Sequence, residues 1–281
     1  MDVWNVLILA LVQGLCELLP VSSSAHVIMV EKLLGLDPTA PEMTMLLVML
    51  HTGTMFAVIV YFWNSWRATY FESALQFRRN GLLVAFATVA TGMVGLSLLQ
   101  VIKTIVAKDS PGFEIEHLFG NPKIMAAGLA TAGLLILYSS RRGQQKGNEL
   151  STRSAILIGA VQGVCLPFRG LSRSGATIST GLALGVARRR AEEFSFALAV
   201  VLTPAVIVKE AWRLYKAPAA VSASHGLGLW PLVMPSLVGM VFSFAAGLLA
   251  LRWLSRWLEQ DRWYLFGFYC LAAALVVFVV G

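Results

Sequence analysis

Two stretches of the chain hold residue types suited to proton and phosphate chemistry. The first reads Gln13-Gly14-Leu15-Cys16-Glu17-Leu18-Leu19-Pro20-Val21-Ser22-Ser23-Ser24-Ala25-His26. If residues 13–17 are helical, Gln13 and Glu17 stand one turn apart on one face. Pro20 would end or bend that helix. Ser22, Ser23 and Ser24 are good caps for a new helix and supply hydroxyls. His26 then falls within its first turn. The second stretch reads Arg169-Gly170-Leu171-Ser172-Arg173-Ser174-Gly175-Ala176-Thr177. Gly170 and Gly175 let backbone come close to a ligand. A helix starting near residues 172–175 presents N–H groups that suit phosphate, and Arg173 adds a fork of donors that matches phosphate oxygens.

Together these supply an acid, a hydroxyl, an imidazole and a guanidinium, a set sufficient for phosphoryl transfer to water. Glu17 and His26 handle protons. Ser23 either attacks phosphorus or only binds it. Arg173 and a helix N-terminus offset the charge that builds on the equatorial oxygens. Each residue also has a plainer reading. The serines could serve as caps alone, Glu17 could lie at an interface, His26 could be a satisfied polar residue, and Arg173 could snorkel. Other polar residues read as structural. His51, His117 and His225 show no ligand spacing, although His51-Thr52-Gly53-Thr54 sits at mid-span and could pack against a cavity. Cys16, Cys165 and Cys270 are three packing residues in apolar stretches, without metal-ligand neighbours. Arg188-Arg189-Arg190 reads as a topology anchor.

The elements that carry these residues must lie in a membrane. Of 281 residues, 57% are hydrophobic and only 13% charged, against about 45–50% and about 25% in soluble domains. Six stretches are apolar enough to span, at about 43–63, 82–106, 123–139, 194–212, 229–251 and 263–280. Two more are broken: one over 3–35, interrupted by Glu17, Pro20 and the serines, the other over 154–187, interrupted by Pro167, Arg169 and Arg173. Val12-Gln13-Gly14-Leu15-Cys16 returns as Val161-Gln162-Gly163-Val164-Cys165. The same offset superposes the broken segments and the first two spans after each, while the last pair slips by several residues. Three spans per half is an odd number, so the second half is expected to be inverted relative to the first. The expected fold is therefore an all-α membrane domain of six transmembrane helices plus two re-entrant broken helices, with halves over 1–140 and 150–281. Irregular backbone at membrane depth needs cover from protein or water, so both broken segments should line one polar cavity.

The formal charge is +7, and no basic-aromatic module points to nucleic acid. The surplus instead sets topology. Thirteen Lys and Arg fall on one set of loops, including Arg67, Arg78, Arg79, Lys146 and Arg188-Arg189-Arg190. Seven fall on the other, including Lys32, Lys103, Lys108 and Lys123. The richer set is expected in the cytoplasm, which turns the mouth of the first broken segment outward.

Gln13 to His26 resembles the Glu-Gly-x-x-Glu-x-x-Pro-x-Ser-Ser-x-x-His motif of bacterial undecaprenyl-diphosphatases, the bacitracin-resistance family. Ser172-Arg173-Ser174-Gly175-Ala176-Thr177-Ile178-Ser179 is similar to that family's second motif. The resemblance continues through His51-Thr52-Gly53-Thr54 and Glu193-Phe194-Ser195-Phe196 and covers nearly the whole chain. It implies an enzyme of the bacterial inner membrane that hydrolyses undecaprenyl diphosphate to the monophosphate carrier lipid used in cell-wall synthesis, at a site facing the periplasm. It also implies an inverted repeat with two re-entrant regions, and support of activity by magnesium or calcium. Carried over residue by residue, Glu17 matches the second motif glutamate, Ser23 and Ser24 the hydroxyl pair, His26 the motif histidine and Arg173 the phosphate-binding arginine. Gln13, Ser172, Ser174, Gly175 and Thr177 complete the expected substrate contacts.

Three positions depart from the pattern. Gln13 replaces the first motif glutamate. A neutral amide is no base and a weaker cation ligand than a carboxylate, which counts against the family's metal dependence and leaves Glu17 as the carboxylate for any cation. Ala25 replaces a glycine, and Cys270 stands where the family often has arginine. The rival reading is a carrier that flips a polyprenyl phosphate with weak or lost hydrolysis. Substrate chain length and a homodimer are left open by the sequence.

Overall fold

The computed structural model describes residues 2–37, 40–106, 121–142, 149–216 and 230–280. Lys108, Lys146, His117 and His225 lie outside the described residues. Within them the chain is all-helical. The helices are α1 (Val3–Leu18), α2 (Ser23–Leu33), α3 (Pro41–Tyr70), α4 (Ala74–Val106), α5 (Pro122–Arg142), α6 (Thr152–Cys165), α7 (Arg173–Ala183), α8 (Arg188–Lys216), α9 (Trp230–Glu259) and α10 (Trp263–Val280).

Six of them contain stretches long and apolar enough to cross a membrane: Met43–Tyr70, Ala74–Ile105, Pro122–Arg141, Arg188–Val208, Val233–Glu259 and Trp263–Val280. These are the six spans expected from hydropathy. α3 and α4 run past the apolar limits, through Arg67 and through Arg78 and Arg79. At about 1.5 Å per residue, the 28 residues of Met43–Tyr70 exceed the roughly 30 Å hydrocarbon core. Helix ends there lie in polar sequence, where hydropathy does not mark them.

The two broken segments are pairs of short helices. α1 has 16 residues and stops two residues short of Pro20, and α2 adds 11. α6 has 14 residues and α7 has 11. Pro20 cannot continue α1. α7 begins where Ser172 caps it, its hydroxyl accepting from the Gly175 N–H.

The chain forms two compact units. The first comprises Met1–Leu18, Ser23–Tyr61 and Ala199–Trp253. Its core gathers Val6, Leu9 and Ala10 of α1 with Val27, Met43, Leu46 and Leu50. In lipid there is little hydrophobic drive between helices, so small residues that permit close approach hold them together. A Cβ on Gly14 would lie 2.6 Å from Ala246 Cβ and 2.7 Å from the Ser243 carbonyl. One on Gly53 would strike Ser243 Oγ and the Met240 carbonyl. Ser243 shares its proton between the carbonyls of Leu50 and Met240, both at 3.0 Å.

The second unit comprises Leu19–Ser22, Phe62–Leu198 and Leu254–Gly281. α4 and α6 meet at Gly159, where a Cβ would strike the Ala87 carbonyl, and at Gly163. Thr91 donates to the carbonyls of Ala87 and Gly159, both at 2.8 Å, and accepts from Gln162 Nε2 at 3.2 Å. α5 and α10 approach through Gly133 and Gly267. Trp263 Nε1 donates to Ser139 and Ser179.

The second unit also holds a polar layer around the start of α8. Glu192 and Glu193 are buried. Glu193 takes bonds from Ser65 and Arg189. Arg190 donates to Asn80 Oδ1 at 2.6 Å and lies over the Tyr70 ring. Ser255 donates to Glu192, and Arg188 pairs with Asp261. The arginine triplet is therefore more than a solvated anchor: the Arg190 side chain is only 18% exposed.

Candidate active site

The helical spacing of Gln13 and Glu17 has the expected result. Gln13 Nε2 donates to Glu17 Oε2 at 3.3 Å. Gln13 is buried, so its amide is held against the carboxylate by packing. The same oxygen accepts from Ser23 Oγ at 2.5 Å. A hydroxyl that close to a carboxylate oxygen lies at the short end for an O–H···O⁻ bond and is charge-assisted.

Glu17 and Ser23 sit on different helices, joined by the turn Leu19–Ser22. Val21 N–H donates to the Leu19 carbonyl at 2.8 Å, closing a three-residue turn about Pro20. Ser22 has φ 66°, a left-handed conformation that costs a non-glycine residue about 1–2 kcal/mol. The three serines thus differ. Ser22 lies buried in the turn, Ser23 opens α2 on the Glu17 carboxylate, and Ser24 is half-buried one residue further. Counted from Pro20, the paired serines of the motif are Ser22 and Ser23, rather than Ser23 and Ser24. His26 is half-buried on the first turn of α2.

A further residue, read from the sequence as one that could pack against a cavity but given no role, belongs to this group. His51 of α3 has Nδ1 2.8 Å from the Leu47 carbonyl. A carbonyl only accepts, so Nδ1 carries a proton there. Nε2 then faces Glu17 Oε2 at 3.9 Å. The close packing of Gly53 on α9 fixes the stretch of α3 that carries the ring. The signal in the sequence was a histidine at the centre of an apolar span.

In the second motif, the hydroxyls are turned inward. Ser172, Ser174 and Thr177 are buried. Ser172 caps α7. Ser174 Oγ donates to the Leu19 carbonyl at 3.2 Å. Thr177 donates to the Arg173 carbonyl at 2.8 Å and lies 2.6 Å from Ser195 Oγ. Gly175 faces Pro20, where a Cβ would come within 3.2 Å of the proline Cβ. Part of the first motif, Leu19 and Pro20, therefore rests directly on the second. Arg173 is the first residue of α7 and half-buried. The cap leaves the polarity of this N-terminus intact, and with the guanidinium it suits a phosphate.

The sequence was also compared with known proteins. The family model described as bacitracin resistance protein BacA matches residues 6–276. Undecaprenyl-diphosphatase 2 of Acinetobacter baylyi is 62% identical over 283 residues, covering 100% of this chain and 99% of that protein. The undecaprenyl-diphosphatase of Acidovorax ebreus is 35% identical over 98% of this chain and 93% of its own length. Undecaprenyl-diphosphatase 1 of Burkholderia pseudomallei is 33% identical, with coverage of 98% and 95%.

Proposed function

The chain belongs to the bacitracin resistance protein BacA family, and on that premise we propose that it hydrolyses undecaprenyl diphosphate to undecaprenyl phosphate and inorganic phosphate. It is a multi-pass membrane hydrolase that recycles the carrier lipid for cell-wall synthesis, an activity that sustains growth in bacitracin.

The observation that carries the chemistry is the 2.5 Å bond from Ser23 Oγ to Glu17 Oε2. A serine hydroxyl is a weak nucleophile until an adjacent base takes its proton. Glu17 is placed to take it as the Ser23 oxygen bonds to the terminal phosphorus. The bond from that phosphorus to the bridging oxygen breaks, and undecaprenyl phosphate leaves with the electron pair. Water then attacks the phosphoserine, giving its proton to His26. Ser23 recovers its own proton from Glu17, and phosphate departs. Arg173 and the N-terminus of α7 offset charge on the phosphoryl oxygens.

Gln13 holds the Glu17 carboxylate through its amide N–H, and the His51 ring lies beside it, with Nε2 at 3.9 Å. Among the described residues, no three His, Cys, Asp or Glu side chains lie close enough to hold a metal ion. Magnesium is commonly held by one or two carboxylates with substrate phosphates completing the shell. Glu17 is the carboxylate that would hold it here, and a bound ion would offset diphosphate charge.

The basic residues support an inner-membrane orientation with the site open to the periplasm. The halves 1–140 and 150–281 are read as inverted repeats. Gly14 and Gly163 hold matching places in the two halves, and each packs against a hydroxyl-bearing residue of another helix, Ser243 and Thr91 respectively, which supports that reading.

The test is a rapid quench with substrate labelled in its terminal phosphate. Label is expected on Ser23 before free phosphate accumulates, and none in Ser23→Ala. Phosphate release without a labelled intermediate would instead favour attack by water activated at His26. Lipid binding without phosphate release would favour the carrier.

A further inference from the structure

Glu17 and Ser23 are separated by a turn that has to be stiff if their hydrogen bond is to persist. A helix end leaves carbonyls without partners, and a buried carbonyl without a donor is costly where water is absent. The turn Leu19–Ser22 presents two such carbonyls in succession. Leu19 and Pro20 are both buried. The Leu19 carbonyl accepts from Val21 N–H at 2.8 Å and from Ser174 Oγ at 3.2 Å. The Pro20 carbonyl accepts from Cys270 Sγ at 3.1 Å. One donor comes from the first turn of α7, the other from the middle of α10, 250 residues away in the chain. Gly175 closes against the proline ring.

Cys270 is fully buried, and Ser174 nearly so. Neither hydroxyl nor thiol is spare: each has its proton on the turn. A thiol is a weak donor, but this one holds the carbonyl of the Pro20–Val21 peptide, and the next residue after that peptide, Ser22, sits in the left-handed region. Relaxation of that residue would re-aim Ser23, the next in the chain.

We infer that Cys270 and Ser174 are positioning residues. They clamp consecutive carbonyls of the Leu19–Ser22 turn and so set the distance between Glu17 and Ser23. The inference rests on the proposed roles of those two residues. Neither clamp residue needs to touch the lipid.

The experiment uses the full chain in detergent micelles and measures phosphate release from undecaprenyl diphosphate, with thermal unfolding of every variant. Cys270→Ala removes the donor and leaves a void no larger than the lost sulfur atom, and serine, close to alanine in volume, leaves nearly the same void. The kcat of Cys270→Ala is expected to fall about tenfold with KM unchanged, the scale of a small loss of near-attack geometry. Cys270→Ser restores a donor and is expected to return kcat to within about twofold of wild type. Ser174→Ala should fall as Cys270→Ala does. A Cys270→Ser variant as slow as Cys270→Ala, with both stably folded, would show that packing alone is at work and overturn the clamp. So would equal kcat in all variants.

A second readout is independent of turnover. The infrared S–H band lost on Cys270→Ala should lie at lower frequency than that of an unbonded thiol. A band at the unbonded position overturns the inference whether or not the protein hydrolyses lipid. Absence of phosphate release from wild type, with the bonded band present, overturns the proposed function and leaves the clamp standing.

Discussion

The Glu17 carboxylate faces an amide donor, a hydroxyl donor and an imidazole nitrogen at 3.3, 2.5 and 3.9 Å. The shortest of these bonds reaches the residue proposed to attack, and the amide is the one that departs from the family motif. Restoring an acid at position 13 would place two carboxylates on one helical face, and like charges that close disfavour joint ionisation unless a cation sits between them. Gln13→Glu is therefore expected to become magnesium-dependent, with a chelator lowering its phosphate release about tenfold more than that of wild type. Equal responses to chelator would remove the cation from Glu17. The spacing of Gln13 and Glu17 was readable beforehand because helical neighbours follow from periodicity. The Ser23 bond was not, because it depends on the turn about Pro20. His51 could be read only as a residue near a cavity, for a related reason: a lone histidine in an apolar span carries no spacing signal until another helix is packed beside it.

Helix pairing inside each unit depends on glycines that leave no room for a side chain. Two glycines near α4 separate the cases. Gly159 of α6 packs on the Ala87 backbone, whereas a Cβ on Gly92 of α4 would meet nothing within 4 Å. Gly159→Ala has to push α4 and α6 apart and strain the bonds Thr91 makes to Ala87 and Gly159. It is expected to destabilise by about 1–3 kcal/mol, read as a lowered Tm in detergent. Gly92→Ala should be neutral or stabilising, since alanine is favoured over glycine within a helix by about 1 kcal/mol. A Tm for Gly159→Ala equal to that of Gly92→Ala would contradict the contact. The long helices raise a different point. Their apolar centres were legible, but the charged ends of α3 and α4 were not, since helix propensity continues where hydropathy stops. Arg190 shows the same limit: its sequence reads as a loop anchor, yet Asn80, Tyr70 and Glu193 draw it into a buried layer.

Orientation in the membrane follows from charge, and charge is countable before any fold is known. Single cysteines placed at Arg78 and at Lys32, both exposed, should report opposite sides. With an impermeant thiol reagent on cells whose outer membrane is opened, Lys32→Cys is expected to label in intact inner membranes and Arg78→Cys only after lysis. The unmodified chain, whose three cysteines are buried or half-buried, gives the background. The reverse pattern would turn the site to the cytoplasm. Family membership and overall chemistry were legible because two motifs occur in the right order in a chain with few charges to spare.

Composition, period and motif order sufficed for an all-helical membrane phosphatase, because those properties are local or additive along the chain. Packing alone decided that His51 faces Glu17, that the second motif's hydroxyls turn inward, and that a thiol at position 270 holds the carbonyl at position 20. Such neighbours are hundreds of residues apart or on separate helices, and only side chains closing a dry interior select them.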